Sequence, residues 1–208
     1  MKIVFDLDHT IFDTTEFKSD LFALLLRSGA SSGNILDTYK EHLEITGGGY
    51  NFFLHCKLIE KKEKHFDTKR ALVLYEEFTG KNFSKYISED TRKALHFLKQ
   101  SGCQLLLLTK GGEETQKTKL RQSGMEDVFE GVYICQGSKL ATLETLGLQA
   151  GDWFVDDSLE EIVTLQSAHP ELQYFLVQSE YSGGVEGDVG NIRFLRTPDA
   201  ILQFLSPE

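Results

Sequence analysis

The sequence predicts an α/β fold, a doubly wound Rossmann-like parallel sheet with a small α-helical cap domain, on three observations. Short β-branched and aliphatic runs recur at 2–5, 104–108, 131–135, 153–155 and 173–177, each bounded by turn residues. Unbroken apolar runs of this length suit strands buried on both faces of a parallel sheet. Between them lie segments with helical spacing, at 88–100, 113–123, 139–146 and 159–167, and strand–helix alternation is the pattern of a doubly wound sheet. The alternation fails once, from 14 to 86, where helical patterns follow one another with no convincing strand between them.

Taken in order, the first strand is Lys2-Ile3-Val4-Phe5, an apolar run that meets Asp6 and Asp8 far too soon to be a signal segment or a membrane span. The helical stretch carries periodic patterns at 16–27, 35–43, 51–64 and 68–78, punctuated by glycines at 29–33 and 47–49 that read as helix-ending loops. This divides the chain into a core of 1–13 and 87–208 and a cap insertion of 14–86. Past the fifth strand, a polar glycine-rich loop at 181–188 precedes an edge strand at 192–195 and a closing helix at 198–205.

At 208 residues and 40% hydrophobic content, the chain can bury a substantial core with one inserted unit. Lys plus Arg number 22 against 32 Asp plus Glu, for a formal net charge of -10. Such a surface repels nucleic-acid backbones and anionic membranes, so neither is expected as a partner. A small anionic substrate stays admissible, because a cation can reverse the potential inside one cleft. The three cysteines, Cys56, Cys103 and Cys135, are far apart and odd in number, which suits a reducing cytoplasm better than a disulfide framework or a zinc site.

The residues that carry chemistry begin at Asp6-Leu7-Asp8-His9-Thr10, directly after the first strand. Two acids separated by one residue leave the carboxyl end of a strand, where open α/β sheets place their ligands. A carboxylate that attacks phosphorus needs a cation to offset phosphate repulsion and an acid for the departing oxygen, and this pair supplies an attacker and an acid. Alone, the pattern could instead cap a strand-to-helix turn. Downstream, Leu105-Leu106-Leu107-Leu108-Thr109 ends a strand in a hydroxyl and runs into Lys110-Gly111-Gly112, where glycines let backbone N–H groups approach an anion or simply make a turn. Asp156-Asp157 follows Trp153-Phe154-Val155, and adjacent acids after a buried strand repel each other unless a cation lies close.

In these residues the chain resembles the haloacid-dehalogenase-like (HAD) superfamily, whose first motif is an apolar strand followed by Asp-x-Asp-x-Thr or Val. The resemblance spans 1–13 and 88–167, with four motifs in the family's order. It implies that Asp6 is nucleophile and magnesium ligand, and that Asp8 is the acid/base whose backbone carbonyl also binds magnesium. It implies that Thr109 hydrogen-bonds a phosphoryl oxygen and that Lys139, after the strand 131–135, offsets the charge. Lys110 is the rival for that electrostatic work, and Lys110 and Gly111 join Thr109 as candidate phosphate-binding groups. Asp156 and Asp157 correspond to the acidic fourth motif, and either could be the direct ligand; Asp152 ranks below them as a turn residue. Oxygen-only ligands suit Mg²⁺.

Dehalogenase members lack the second acid, so Asp8 implies phosphatase chemistry on a small phosphorylated metabolite through an aspartyl-phosphate. The competing readings are a non-catalytic phospho-ligand-binding protein and phosphonate or phosphotransfer chemistry on the same core. In the insertion, Lys57, Lys61, Lys62, Lys64, Lys69 and Arg70 stand near Tyr50, Phe52, Phe53 and Phe66. They form either a cationic, aromatic lip for a nucleotide or metabolite, or a solvated helix face over a small core.

Overall fold

The computed structural model describes residues 1–47, 49–179, 182 and 192–205. Six strands form one parallel sheet: β1 (Lys2–Phe5), β2 (Gln104–Lys110), β3 (Gly131–Cys135), β4 (Trp153–Asp156), β5 (Gln173–Val177) and β6 (Ile192–Leu195). Their order is β3-β2-β1-β4-β5-β6, so the first strand sits in the middle. It pairs with β2 in the register Phe5↔Leu107 and with β4 in the register Phe5↔Val155.

The apolar runs are continuous because both faces of the sheet are covered. Ile3 and Phe5 of β1, with Leu105 and Leu107 of β2, point into one hydrophobic cluster, and Val4, Leu106 and Leu108 point into the other. α5 (Glu89–Gln100) and α6 (Glu113–Ser123) cover the first face through Leu95, Leu98 and Leu120. α7 (Lys139–Leu143) and α8 (Leu159–Ala168) cover the second through Leu143, Ile162 and Leu165.

Between β1 and α5 run four helices, α1 (Thr14–Arg27), α2 (Ser32–Thr46), α3 (Phe52–Lys62) and α4 (Thr68–Thr79), with no strand among the described residues of that stretch. Each begins one residue after a side chain that caps it: Asp13 accepts from Glu16 N at 2.8 Å, Ser31 from Asn34 N at 3.4 Å, Asn51 from Leu54 N at 2.9 Å and Asp67 from Arg70 N at 3.0 Å. These caps explain why α1 and α2 start earlier than the apolar periodicity suggests, since polar first turns carry no periodic signal. Gly33 lies inside α2, while Gly47 ends it in the left-handed conformation at φ 65°. The segment leaves and rejoins the sheet at one place, where Asp13 N donates to Tyr86 O at 2.7 Å. Phe12, Phe17, Phe83 and Tyr86 pack there edge to face or tilted, with ring centroids 5.2–5.6 Å apart.

Several sequence expectations need adjustment. The strand at 131–135 is an edge strand, half-buried rather than buried, because no strand among the described residues pairs outside it. The closing helix is a 3-10 segment, Pro198–Phe204. The glycine-rich loop at 181–188 falls outside the described residues apart from Ser182.

Candidate active site

The site grows from the carboxyl ends of the central strands. Asp6 continues β1, and its N–H donates to Val155 O at 2.9 Å, which sets it beside Asp156, the last residue of β4. Leu7 then starts a tight turn: Ile11 N and Phe12 N both donate to Leu7 O, and His9 N donates to Phe12 O. His9 closes it with φ 60°, a region that non-glycine residues seldom occupy and that concentrates at functional sites. The turn separates two acids that are two residues apart in sequence into different environments.

Asp6, Asp156 and Asp157 form the first environment. All three are buried, and each offers a carboxylate oxygen within 4.8 Å of the others. Lys139, at the start of α7, reaches between two of them, with Nζ 2.6 Å from Asp6 Oδ1 and 2.6 Å from Asp156 Oδ2; its side chain is 4% exposed. Asp156 Oδ1 also accepts from Ser158 N at 2.9 Å, and Asp157 Oδ2 from Ser179 Oγ at 2.9 Å. Burial raises the Asp6 carboxyl far above the usual carboxylate range; Lys139 lowers it, and Asp156 and Asp8 raise it again. Burial pulls the Lys139 ammonium down, but Asp6 and Asp156 together push it above its ordinary value. The two directions are compatible: one ammonium flanked by two carboxylates stays charged, yet cannot offset the burial and repulsion of three. Asp157 is pushed up to about 6 by burial and by Asp156. The cluster is thus short of positive charge, and its all-oxygen, hard-donor character fits a divalent cation such as Mg²⁺.

Asp8 occupies the second environment. Its carboxylate accepts from Thr14 Oγ1 and Lys119 Nζ on Oδ1, and from Gln116 Nε2 at 2.6 Å on Oδ2. Burial raises this carboxyl, but the charge of Lys119 and the hydrogen bonds from Lys119, Thr14 and Gln116 more than offset that and bring it down to about 2. Asp8 is therefore ionised, and it borders a cavity of about 180 Å³. The helical stretch supplies Thr14, Phe17, Lys18, Leu21, Tyr39 and Tyr50 to that cavity, and the core supplies Lys110, Gly112, Thr115, Gln116 and Lys119. A larger cavity, about 520 Å³, lies across the 9–13 turn and touches none of Asp6, Asp8, Asp156 and Asp157.

Of the residues singled out by sequence, Asp6, Lys139, Asp156 and Asp157 come together in one cluster. Thr109, next to last in β2, is fully buried, with its hydroxyl making a 3.5 Å contact to Lys110 O. Lys110 points elsewhere and pairs with Glu161 on α8. Gly111 takes φ 139°, open only to glycine, and Gly112 lines the cavity. Asp152 is a turn residue that accepts from Lys2 N at 2.7 Å and Gln149 N at 2.9 Å.

The cationic lip does not reach the cavity. Lys57 pairs with Glu60 and Lys62 with Glu41 at the surface, Phe52 and Phe66 are buried, and only Tyr50 of that group lines the cavity. Sequence reasoning missed Thr14, Gln116 and Lys119. The signal for the last two was their spacing: at i and i+3 on a helix they share the inward face with Leu120 and Ser123.

The fold and its strand-end acids define an α/β protein whose candidate site lies where an open parallel sheet binds ligands. A family model of haloacid dehalogenase-like hydrolases matches residues 3–169, and the chain belongs to that family. Among solved structures, a protein classed as a haloacid dehalogenase-like hydrolase from Burkholderia xenovorans is similar at TM-score 0.79 and 18% identity, covering 98% of this chain and 95% of that one. A protein classed as a β-phosphoglucomutase from Thermotoga maritima gives 0.62 and 16%, covering 98% and 97%. The L-2-haloacid dehalogenase of Xanthobacter autotrophicus gives 0.59 and 12%, covering 99% of each chain. No curated protein matches the sequence. At these identities the structures share a fold with this chain, and the chemistry has to be argued from its own residues.

Proposed function

We propose that this hydrolase is a Mg²⁺-dependent phosphohydrolase acting on a small phosphorylated metabolite through an aspartyl-phosphate on Asp6. The observation that carries the reading is Asp8: a second carboxylate two residues beyond Asp6, ionised, held by three donors and bordering a cavity. Carbon–halogen displacement by Asp6 releases halide, which needs no proton, whereas an alkoxide leaving from phosphorus does.

In the first step an Asp6 oxygen attacks phosphorus, the bond to the leaving oxygen breaks, and that oxygen is protonated. Asp8, ionised as found, takes up the proton carried by a phosphomonoester monoanion and passes it to the leaving oxygen. In the second step Asp8 accepts a proton from water, the water oxygen attacks phosphorus, and the bond to Asp6 breaks to release phosphate and restore the carboxylate. Lys139 holds Asp6 in place and offsets its charge, and Thr109 supplies a hydroxyl at the end of β2 for a phosphoryl oxygen. Asp6, the Asp8 carbonyl, Asp156 and Asp157 are the groups that would hold Mg²⁺, which when bound supplies positive charge against the phosphate oxygens.

Residues 14–86 serve as a cap in this reading, since they line half of the cavity beside Asp8. About 180 Å³ is below the usual range for drug-sized ligands and favours a compact leaving group. Three free cysteines, two of them buried, support a reducing cytoplasm, and no helix among the described residues is long and apolar enough to cross a membrane.

The test is Mg²⁺-dependent phosphate release from a panel of phosphomonoesters, with halide release from 2-haloacids and aldehyde release from phosphonates measured alongside. Phosphate release that is lost on chelation and in Asp6→Asn is expected. Halide release without phosphate release, or full activity of Asp6→Asn, would overturn the reading.

A further inference from the structure

We propose that Lys119 and Gln116 of α6 are positioning residues that fix the Asp8 carboxylate in the orientation used for proton transfer; the proposal rests on the phosphohydrolase reading above.

Lys119 is hard to explain by packing. Its side chain is 5% exposed, and its ammonium lies 5.3 Å from the centroid of Phe12 and 5.2 Å from that of Phe17. A Leu or Met would fill that aromatic environment without a charge to desolvate, and a buried ammonium is unfavourable unless paired. Its carboxylate partner among the described residues is Asp8.

Gln116 points the same way by a different route. Its Nε2 donates to Asp8 Oδ2 at 2.6 Å and to Lys110 O at 2.7 Å, while its Oε1 is buried with no partner among the described residues. Turning the amide over would set oxygen against a carboxylate and a carbonyl, two acceptors, so only this orientation is compatible with its neighbours. An unpartnered buried acceptor is unfavourable, and here it accompanies two donors committed to Asp8 and to the end of β2.

Gly111 completes the arrangement. A Cβ at that position would stand 2.7 Å from Gln116 Nε2, so the backbone at the end of β2 makes room for the amide by having no side chain. With Lys119 on one carboxylate oxygen and Gln116 on the other, rotation of the Asp8 carboxylate breaks a hydrogen bond whichever way it turns. Both residues border the cavity together with Asp8, so the oriented carboxylate lies where a leaving group would be.

A double-mutant cycle tests this, with kcat/KM measured on phenyl phosphate and on para-nitrophenyl phosphate in Mg²⁺. This constant reports the phosphoryl-transfer step, and para-nitrophenolate leaves with little need of a proton. Lys119→Met should lower kcat/KM on phenyl phosphate about 100-fold, the scale of a misplaced catalytic group. It should lower the value on para-nitrophenyl phosphate less than about tenfold, and in an Asp8→Asn background the same substitution should cost less than about threefold. Gln116→Met, close in size and the second arm should Lys119→Met fail to fold, should show the same pattern at about tenfold.

Equal losses on both esters, or the full loss persisting without Asp8, would overturn the positioning role. Tm values of the four cycle members separate the two levels of argument. Additive Tm changes would refute the clamp whatever the activity, because residues in contact should couple. Coupled Tm values in a wild type that hydrolyses no ester would refute the phosphohydrolase reading, and the positioning role with it.

Discussion

Replacing Lys139 with Met removes the one ammonium shared by Asp6 and Asp156, both nearly inaccessible to solvent. Breaking a buried pair from one side costs about 3–5 kcal/mol, because the remaining charge is left uncompensated. For a domain of this size, about 1 kcal/mol corresponds to about 2–4 °C in Tm, so Lys139→Met should melt about 6–20 °C below the parent in EDTA at pH 7. One condition should restore much of the loss: millimolar Mg²⁺ should narrow the gap between variant and parent, since a divalent cation can take over the lost charge. Differential scanning fluorimetry with EDTA and with Mg²⁺ reads both states. A Tm within about 2 °C of the parent in EDTA at pH 7, or a deficit that Mg²⁺ does not reduce, would refute the reasoning, because either result means that the carboxylates do not depend on Lys139 for their charge balance.

Other consequences follow from the same geometry. Asp157, pushed up to about 6, makes protons compete with a cation, so the Tm increase produced by Mg²⁺ should shrink between pH 7 and pH 5; a constant increase across that range would place the cation elsewhere. His55 is buried among the insertion helices, with Nε2 3.1 Å from the Ile35 carbonyl and Nδ1 2.9 Å from the Tyr50 hydroxyl. The carbonyl only accepts, so Nε2 carries the proton and Nδ1 accepts from Tyr50. Burial and His42 pull His55 down to about 4, so its neutral ring contributes stability that is lost as pH falls from about 6.5 toward 4, up to about 3 kcal/mol, and His55→Gln should flatten urea-melt stability over that window. Gly111→Ala meets both a positive φ and the Gln116 amide, and should cost about 2 kcal/mol; part should be regained in Gly111→Ala/Gln116→Ala, whereas no regain in chemical denaturation would assign the whole cost to backbone strain.

The core was legible because its signals are local. Runs such as Leu105 to Leu108 are apolar on both faces, and the acids at 6, 8, 156 and 157 follow strands whose ends face one edge of the sheet. The surroundings of Asp8 were not legible in the same way. Thr14, Gln116 and Lys119 belong to α1 and α6, and they meet only because β1 and β2 pair in register over a separation of about a hundred residues. A lysine on a helix is ordinarily a solvated group, so nothing at positions 113–123 marks Lys119 as buried except its place on the Leu120 face. Lys139 and Lys110 were rivals on spacing alone. Geometry distinguishes them, one between Asp6 and Asp156, the other against Glu161. The insertion lip stays away from the cavity for the converse reason: Phe52 and Phe66 are buried in packing, and Lys57 and Lys62 pair with carboxylates at the surface.

The central position of β1 sets an order of events in folding. Its neighbours are β2, about a hundred residues later, and β4, about a hundred and fifty residues later, so it closes two of the longest loops in the chain. Contacts of such separation form slowly. During synthesis Ile3, Val4 and Phe5 can pair with β2 on one side, but their other side stays open until the residues of β4 have left the ribosome, while the helices of 14–86 can already form from local contacts. Asp6 and Asp156 meet only when that last pairing closes. The strand that carries the proposed nucleophile is therefore among the last to be secured, and a chain truncated before about residue 153 would hold the insertion helices but not the site.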